Sequence, residues 1–213
     1  MKTTQSILLS STYLGPLEYY AWLIQHNKVY IDKEEHYIKQ TYRNRCVIYT
    51  ANGKQSLTVP VIKVNGNHTK IKDIQISSQQ DWQKVHWRSI VSAYNHSPFF
   101  LYYRDELEPF YTKTFKYLLD YNHELLEILF YLLDINIKIT YTEKFIEKDN
   151  YRFIDLRNHF SPKKENPDMV FPAYTQVFEV THGFIPNLSI IDLLFNEGTN
   201  TVEYLKRMDI NPD

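Results

Sequence analysis

Apolar residues in the first part of the chain follow two different spacings. Residues 7–9 form a short apolar run typical of a buried strand, and residues 28–32 predict a second strand. Between them, residues 17–26 carry apolar side chains at helical spacing from Leu17 to Ile24. The order strand, loop, helix, strand is that of a βαβ unit, so this part of the chain predicts a parallel sheet.

A hairpin is predicted next. Residues 46–49 and 56–61 are rich in strand-forming side chains and flank Asn52-Gly53, a pair that accepts positive φ and is a strong turn signal. Pro60 cannot donate to a ladder and indicates an edge or a strand end. A further strand is predicted at residues 71–76.

The remainder of the chain predicts mainly helices. Asp81 can cap a helix that runs to Tyr94, and Ser97-Pro98 can open a short one. The other predicted elements are an amphipathic helix at 114–133, a strand at 135–141, a solvated loop at 163–167, and helices at 188–195 and 201–206. We therefore expect an α/β fold in one domain, residues 1–213: a mostly parallel sheet with an antiparallel hairpin and a helical subdomain at about 81–134.

Composition narrows the class of protein. The 213 residues include 24 basic and 25 acidic side chains, so no excess positive field exists to hold a nucleic acid, and we expect no nucleic-acid partner. Cys46 stands alone, which excludes an internal disulfide or a cysteine-rich zinc site. The longest apolar stretch is interrupted by Glu127, so we expect no membrane span and a cytoplasmic protein. Tyrosines number 18 and could line a wet cleft or simply reflect genome bias.

A basic cluster precedes the hairpin. It comprises Lys39, Gln40, Arg43, Asn44 and Arg45. Such donors suit a phosphate or a carboxylate, because arginine presents a planar fork of N–H groups. The alternative, which the residues alone favour, is a solvated turn balanced by nearby acids.

An acidic cluster follows the second predicted strand, with Asp32, Glu34, Glu35 and His36 in close succession. The carboxyl ends of parallel strands face the ligand crevice, so an acid there could act as a base or bind a cation. The spacing matches no metal motif, and the alternative, which the residues alone favour, is a polar surface loop. His86, on the helix from Asp81, could act as an acid or base, although a lone helical histidine is more often a packing residue.

Several segments follow one another in a specific order: Tyr13-x-x-Pro16-x-x-Tyr19-Tyr20, Lys39-Gln40-x-Tyr42-Arg43-Asn44-Arg45, Leu57-Thr58-Val59-Pro60-Val61, His86-Trp87-x-x-Ile90-x-x-Ala93-Tyr94, and a C-terminal stretch from Tyr174 to Gly198. Together they resemble the WbqC-like family, in its shorter branch from Bacteroides-type bacteria, nearly end to end. Ser10 and Gly15 depart from the prolines expected there. A glycine-containing segment of the longer branch is also missing.

The resemblance implies a role in cell-surface polysaccharide (O-antigen-like) biosynthesis and a transferase acting on nucleotide-linked sugars or acyl donors. It gives more weight to a functional basic cluster. On this basis Arg43 and Arg45 would bind the phosphate or carboxylate of a small-molecule substrate, Tyr13 and Tyr19 would stack on a base or sugar, and Tyr94 would line the cleft with His86 as acid or base. The alternatives are a non-catalytic binding or assembly protein of the same pathway and a metal-dependent hydrolase built on Asp32, Glu34 and Glu35. The cofactor and the oligomeric state stay open.

Overall fold

The computed structural model describes residues 6–78, 81–148, 150–164 and 169–210. Its central sheet is fully parallel and consists of β1 (Ser6–Leu9), β2 (Val29–Ile31), β7 (Ile139–Tyr141) and β8 (Phe153–Asp155). The strands lie in the order β7-β2-β1-β8, and α1 (Leu17–Gln25) connects β1 to β2. In register, Ile7 of β1 lies between Val29 and Ile154. The predicted α/β class with a parallel sheet is confirmed.

Two antiparallel pairs lie outside this sheet. The predicted hairpin is confirmed as β3 (Arg45–Thr50) and β4 (Gly53–Thr58), in which Thr50 pairs with Gly53. Gly53 has a φ of 88°, whereas Asn52 is not among the described residues with positive φ. The turn therefore needs one left-handed residue instead of the two we expected. The second pair joins β5 (Val61–Ile62) to β6 (Gln75–Ile76).

Helices make up most of the remaining structure. They are α2 (Trp82–Tyr94), α3 (Phe100–Leu107), α4 (Leu118–Leu132), α5 (Glu179–His182), α6 (Ile190–Glu197) and α7 (Thr201–Arg207). Asp81 precedes α2 as predicted, but its side chain makes no capping hydrogen bond. None of the helices in the described ranges is long and apolar enough to cross a membrane.

Two predicted strands are shorter in the structure, and one strand was not predicted. The strand expected at 71–76 is shortened to β6, because Ile71–Asp73 forms a single turn of 3-10 helix. Of the strand expected at 135–141, only Ile139–Tyr141 (β7) is a strand in the structure. Strand β8 was not predicted, and its three residues complete the edge of the parallel sheet. The loop predicted at 163–167 lies partly outside the described residues.

Candidate functional site

The order of the parallel strands creates a crevice at their carboxyl ends. From β1 the chain moves to β2 on one side, whereas β8 pairs with the other side of β1. In open α/β sheets, ligands bind at such a switch in strand order, outside the carboxyl ends of the strands. A cavity of about 760 Å³ reaches this point. Residues that follow β2 and β8 line it, Glu35 and Arg157 among them, together with β8 and the segment that precedes it.

A buried ion pair between Arg43 and Glu35 borders the cavity. The Arg43 Nε donates to Glu35 Oε1 at 2.8 Å, and its Nη2 donates to Oε2 at 2.6 Å. Ser10, directly after β1, donates its hydroxyl to Glu35 Oε2 at 3.2 Å. Burial raises the pKa of Glu35, and the hydrogen bonds and charge of Arg43 offset part of that effect. The Arg43 fork is thus occupied by a carboxylate of the same chain.

Arg157 joins two strands through a second set of ion pairs. Its Nη1 lies 2.6 Å from Asp32 Oδ2, and its Nη2 lies 2.5 Å from Asp155 Oδ2. Burial alone would raise the pKa of Asp155, but the hydrogen bonds and charge of Arg157 lower it overall. The ring of Phe145 lies 4.9 Å from the Arg157 guanidinium carbon, which covers the cation with an aromatic face. Thr142 Oγ1, after β7, donates to Asp32 Oδ1 at 2.8 Å.

The three acids of the predicted acidic cluster are therefore divided among four cationic partners. Asp32 pairs with Arg157 and Glu35 pairs with Arg43. Glu34 points the other way and accepts from Lys70 and Lys72, whose hydrogen bonds lower its pKa. Across the described part of the chain, no group of three potential His, Cys, Asp or Glu ligands could hold a metal ion.

The remaining members of the basic cluster point in different directions. Asn44 is buried and donates its amide to the Val59 carbonyl at 2.8 Å, which ties the cluster to the hairpin. Lys39 and Gln40 are exposed, and Gln40 accepts from Lys163 Nζ at 2.6 Å. Arg45 donates to Thr58 Oγ1 across the hairpin. Only Arg43 reaches the border of the cavity, through its contact with Glu35.

The four predicted ring residues lie in the core. Tyr13 is fully buried and its hydroxyl lies 2.9 Å from His86 Nδ1. Burial lowers the pKa of His86 to about 4, so this imidazole is neutral at pH 7. Tyr94 donates to the buried Asp192 at 2.8 Å, and Tyr19 donates to the Ser10 carbonyl at 3.0 Å. A ligand could reach these side chains only if neighbouring aromatic residues moved, so their ligand-binding and catalytic roles stay predictions.

Comparison with known proteins establishes the family. The model of the WbqC-like protein family matches residues 11–165 and 163–204. The chain belongs to the WbqC-like family. It is similar to the uncharacterised protein Rv1507c of Mycobacterium tuberculosis, with 26% identity over 223 residues that cover 93% of this chain and 96% of that protein. No solved structure matches.

In this WbqC-like chain the crevice also contains residues that sequence reasoning missed. His159, four residues beyond β8, lines the cavity, and its Nε2 lies 3.1 Å from Oε1 of the buried Glu18. Lys148 and Tyr151 line the same cavity. The available signal was the apolar pair Phe153-Ile154 followed directly by Asp155 and then by the polar residues 157–159. It repeats the pattern of β2 followed by Asp32, which the sequence analysis did recognise.

Proposed function

We propose that this protein is a transferase of cell-surface polysaccharide biosynthesis that binds a nucleotide-linked sugar in the crevice at the carboxyl ends of the parallel strands. Family membership supports the pathway. The observation that carries the proposal is the cavity of about 760 Å³ at the switch in strand order. Its volume lies within the range of about 300–1,000 Å³ of small-molecule sites.

The lining of the cavity suits the two ends of such a ligand. Lys148 and His36 present donors for phosphate oxygens, while the ring of Tyr151 is 85% exposed and available to stack on a base or sugar. Arg43, which the sequence-based hypothesis assigned to ligand binding, and Arg157, which that hypothesis did not include, contribute in another way. Because each is paired with carboxylates of the chain, they stiffen the border of the crevice and keep its buried acids compensated.

A non-catalytic ligand-binding or assembly protein of the same pathway is the second candidate. The guanidinium groups of Arg43 and Arg157 are already paired with carboxylates, and this favours the second candidate. A transferase with unpaired arginines in its site would have more fixed cations to stabilise the negative charge on the leaving group. Turnover separates the two candidates: a transferase releases nucleoside diphosphate from a nucleotide-linked sugar, and a binding protein does not.

The crevice is tested by titrating UDP-N-acetylglucosamine and UDP into the protein by calorimetry. Lys148→Ala should weaken binding about tenfold, the usual effect of losing one charge-assisted hydrogen bond. Tyr151→Ala should weaken it by a similar factor through lost stacking. Lys138→Ala is the matched control, since Lys138 is exposed, does not line the cavity and directly precedes β7, the strand at the opposite edge of the sheet from β8. Equal affinity in all four proteins would show that the ligand binds elsewhere.

A further inference from the structure

We infer that His159 is the general base of the transfer reaction and that Glu18 positions it. The inference rests on the proposed function and names the group that would accept a proton from the sugar or amine acceptor. It follows from a histidine–carboxylate pair that links the crevice to the buried face of α1. The histidine lies at the cavity and the carboxylate lies behind it.

The pair combines an accessible ring with a buried acid. The side chain of His159 is 35% exposed and that of Glu18 is 5% exposed. The imidazole is held edge-on against the rings of Trp22 and Phe160, with centroid separations of 6.1 and 4.9 Å. A ring fixed between two aromatic neighbours keeps one orientation toward the cavity. That preorganisation is what a proton acceptor in a binding site requires.

Asn187 holds the carboxylate from the other side. Its Oδ1 accepts from the Glu18 backbone N–H at 3.0 Å, and its Nδ2 donates to Glu18 Oε2 at 3.4 Å. Asn187 has a φ of 54°, a left-handed conformation that asparagine tolerates better than most residues. Oε2 of Glu18 therefore faces Asn187 while Oε1 faces the imidazole. The carboxylate is oriented before any ligand arrives.

The pairing decides which ring nitrogen can take a proton. Because Nε2 faces a carboxylate oxygen, Nε2 carries the hydrogen and donates it to Glu18. Nδ1 is then the basic nitrogen, and among the described residues it makes no hydrogen bond. The charged and titratable groups that share the cavity with His159 are Glu35, His36, Lys148, Tyr151, Asp155 and Arg157. Asp155 is already bonded to Arg157 and Glu35 to Arg43. His36 has no carboxylate partner among the described residues to orient it, so His159, which has Glu18, is the better-placed acceptor.

The reaction step balances without a further reagent. The acceptor hydroxyl loses its proton to Nδ1 of His159 as its oxygen forms a bond to the anomeric carbon of the nucleotide-linked sugar. The bond from that carbon to the diphosphate oxygen breaks, and its electron pair leaves with the nucleoside diphosphate. The imidazolium formed is stabilised by the Glu18 carboxylate until the proton passes to solvent.

The first test needs no turnover. Diethyl pyrocarbonate acylates accessible neutral imidazoles, and mass spectrometry locates the modified residues. We expect His159 to react much faster than the buried His26 and His86, and we expect saturating UDP to slow the reaction of His159 at least fivefold. The inference is overturned if UDP binds by calorimetry yet leaves the labelling of His159 unchanged. If UDP does not bind at all, the proposed function fails instead.

The second test measures UDP release from UDP-N-acetylglucosamine, with water or an added sugar as acceptor. His159→Ala should lower kcat about a hundredfold or more with little change in KM, and added imidazole should restore part of the rate. Glu18→Gln should lower kcat while leaving KM and the UDP affinity close to those of the wild type. His182→Gln, at an exposed histidine that contacts the hairpin turn, is the control. A His159→Ala protein with wild-type kcat would overturn the inference, whereas a wild type that releases no UDP counts against the proposed donor.

Discussion

Arg43 illustrates what local sequence can and cannot reveal about a residue. Its place in a basic cluster suggested a free phosphate ligand, and the neighbouring acids suggested a solvated turn. In the structure it binds Glu35, eight positions earlier, in a two-pronged buried pair. The path of the loop between β2 and β3 creates that pair, and no local periodicity encodes such a path. The chemistry of Arg43 could be predicted from the sequence, but its partner could not.

His159 is the converse case. Nothing about a single histidine in a polar segment distinguishes it, and its partner Glu18 is 141 positions away. The two meet because the loop after β8 reaches the amino-terminal turn of α1. Pairs of this kind depend on the topology of the sheet, so they become visible only when the strand order is known.

Asp192 yields a prediction about pH at the same scale. Burial raises the pKa of Asp192 to about 6, although Tyr174, Tyr94 and Gln176 donate to its oxygens. Between the unfolded pKa of 3.8 and the folded value, the native state holds more protons than the unfolded state. This carboxyl therefore adds stability as the pH falls, about 1 kcal/mol between pH 7.5 and pH 5. Urea unfolding of the wild type and of Asp192→Asn should show this gain only in the wild type.

The comparison between the two proteins isolates Asp192. His26 and His86 have lowered pKa values and so make stability fall on acidification, but they are common to both proteins and cancel in the difference. Identical pH slopes in the wild type and the variant would show that Asp192 carries no folding-linked proton.

At the level of elements, predictions succeeded where a pattern was long or a turn was specific. Helices α1 and α2 and the hairpin follow from periodicity and from Asn52-Gly53. Strand β8 was missed because three residues cannot establish an alternation. The turn of 3-10 helix at Ile71–Asp73 was read as strand because β-branched spacing alone does not reveal local hydrogen bonding. Short elements owe their form to tertiary partners, and β8 owes it to β1.

The hairpin turn gives a prediction at this scale. Gly53 has a φ of 88°, and a Cβ at this position would meet nothing within 4 Å. Gly53→Ala should therefore destabilise the fold by about 1 kcal/mol, for conformational reasons alone. Gly53→Asn should cost less, since asparagine tolerates a left-handed backbone better. Urea unfolding measures both. If Gly53→Asn and Gly53→Ala lowered the free energy of unfolding equally, the left-handed backbone at this position would not be the cause of the loss.

At the scale of the whole molecule, the polar residues that follow the four strands meet at one end of the sheet, because the carboxyl ends of parallel strands lie together. Ser10, Asp32, Thr142 and Arg157 follow β1, β2, β7 and β8, and all are linked through the two buried ion pairs. The βαβ signal in the first forty residues predicted this end of the sheet. Of the acidic cluster, Asp32 and Glu35 lie there in buried ion pairs, not in the polar surface loop that the residues alone favoured, and Glu34 pairs with Lys70 and Lys72. What the sequence could not supply was the strand on the far side of β1, and with it the position of the crevice.

The helical region predicted at about 81–134 shares its core with the sheet, and this leads to a prediction about folding. Asn122 of α4 donates to Ser11 and to the Arg43 carbonyl, and Tyr13 bonds His86 of α2. We therefore expect one cooperative unfolding transition, identical by fluorescence and circular dichroism.

Two core substitutions test this expectation. Leu129→Ala in α4 and Leu23→Ala in α1 both remove fully buried side chains, and each should lower the free energy of unfolding by about 2–5 kcal/mol. Leu101→Ala, 67% exposed, is the control and should change stability by less than about 0.5 kcal/mol. If Leu129→Ala produced a separate early transition while the sheet stayed folded, residues 81–134 would be an independent folding unit.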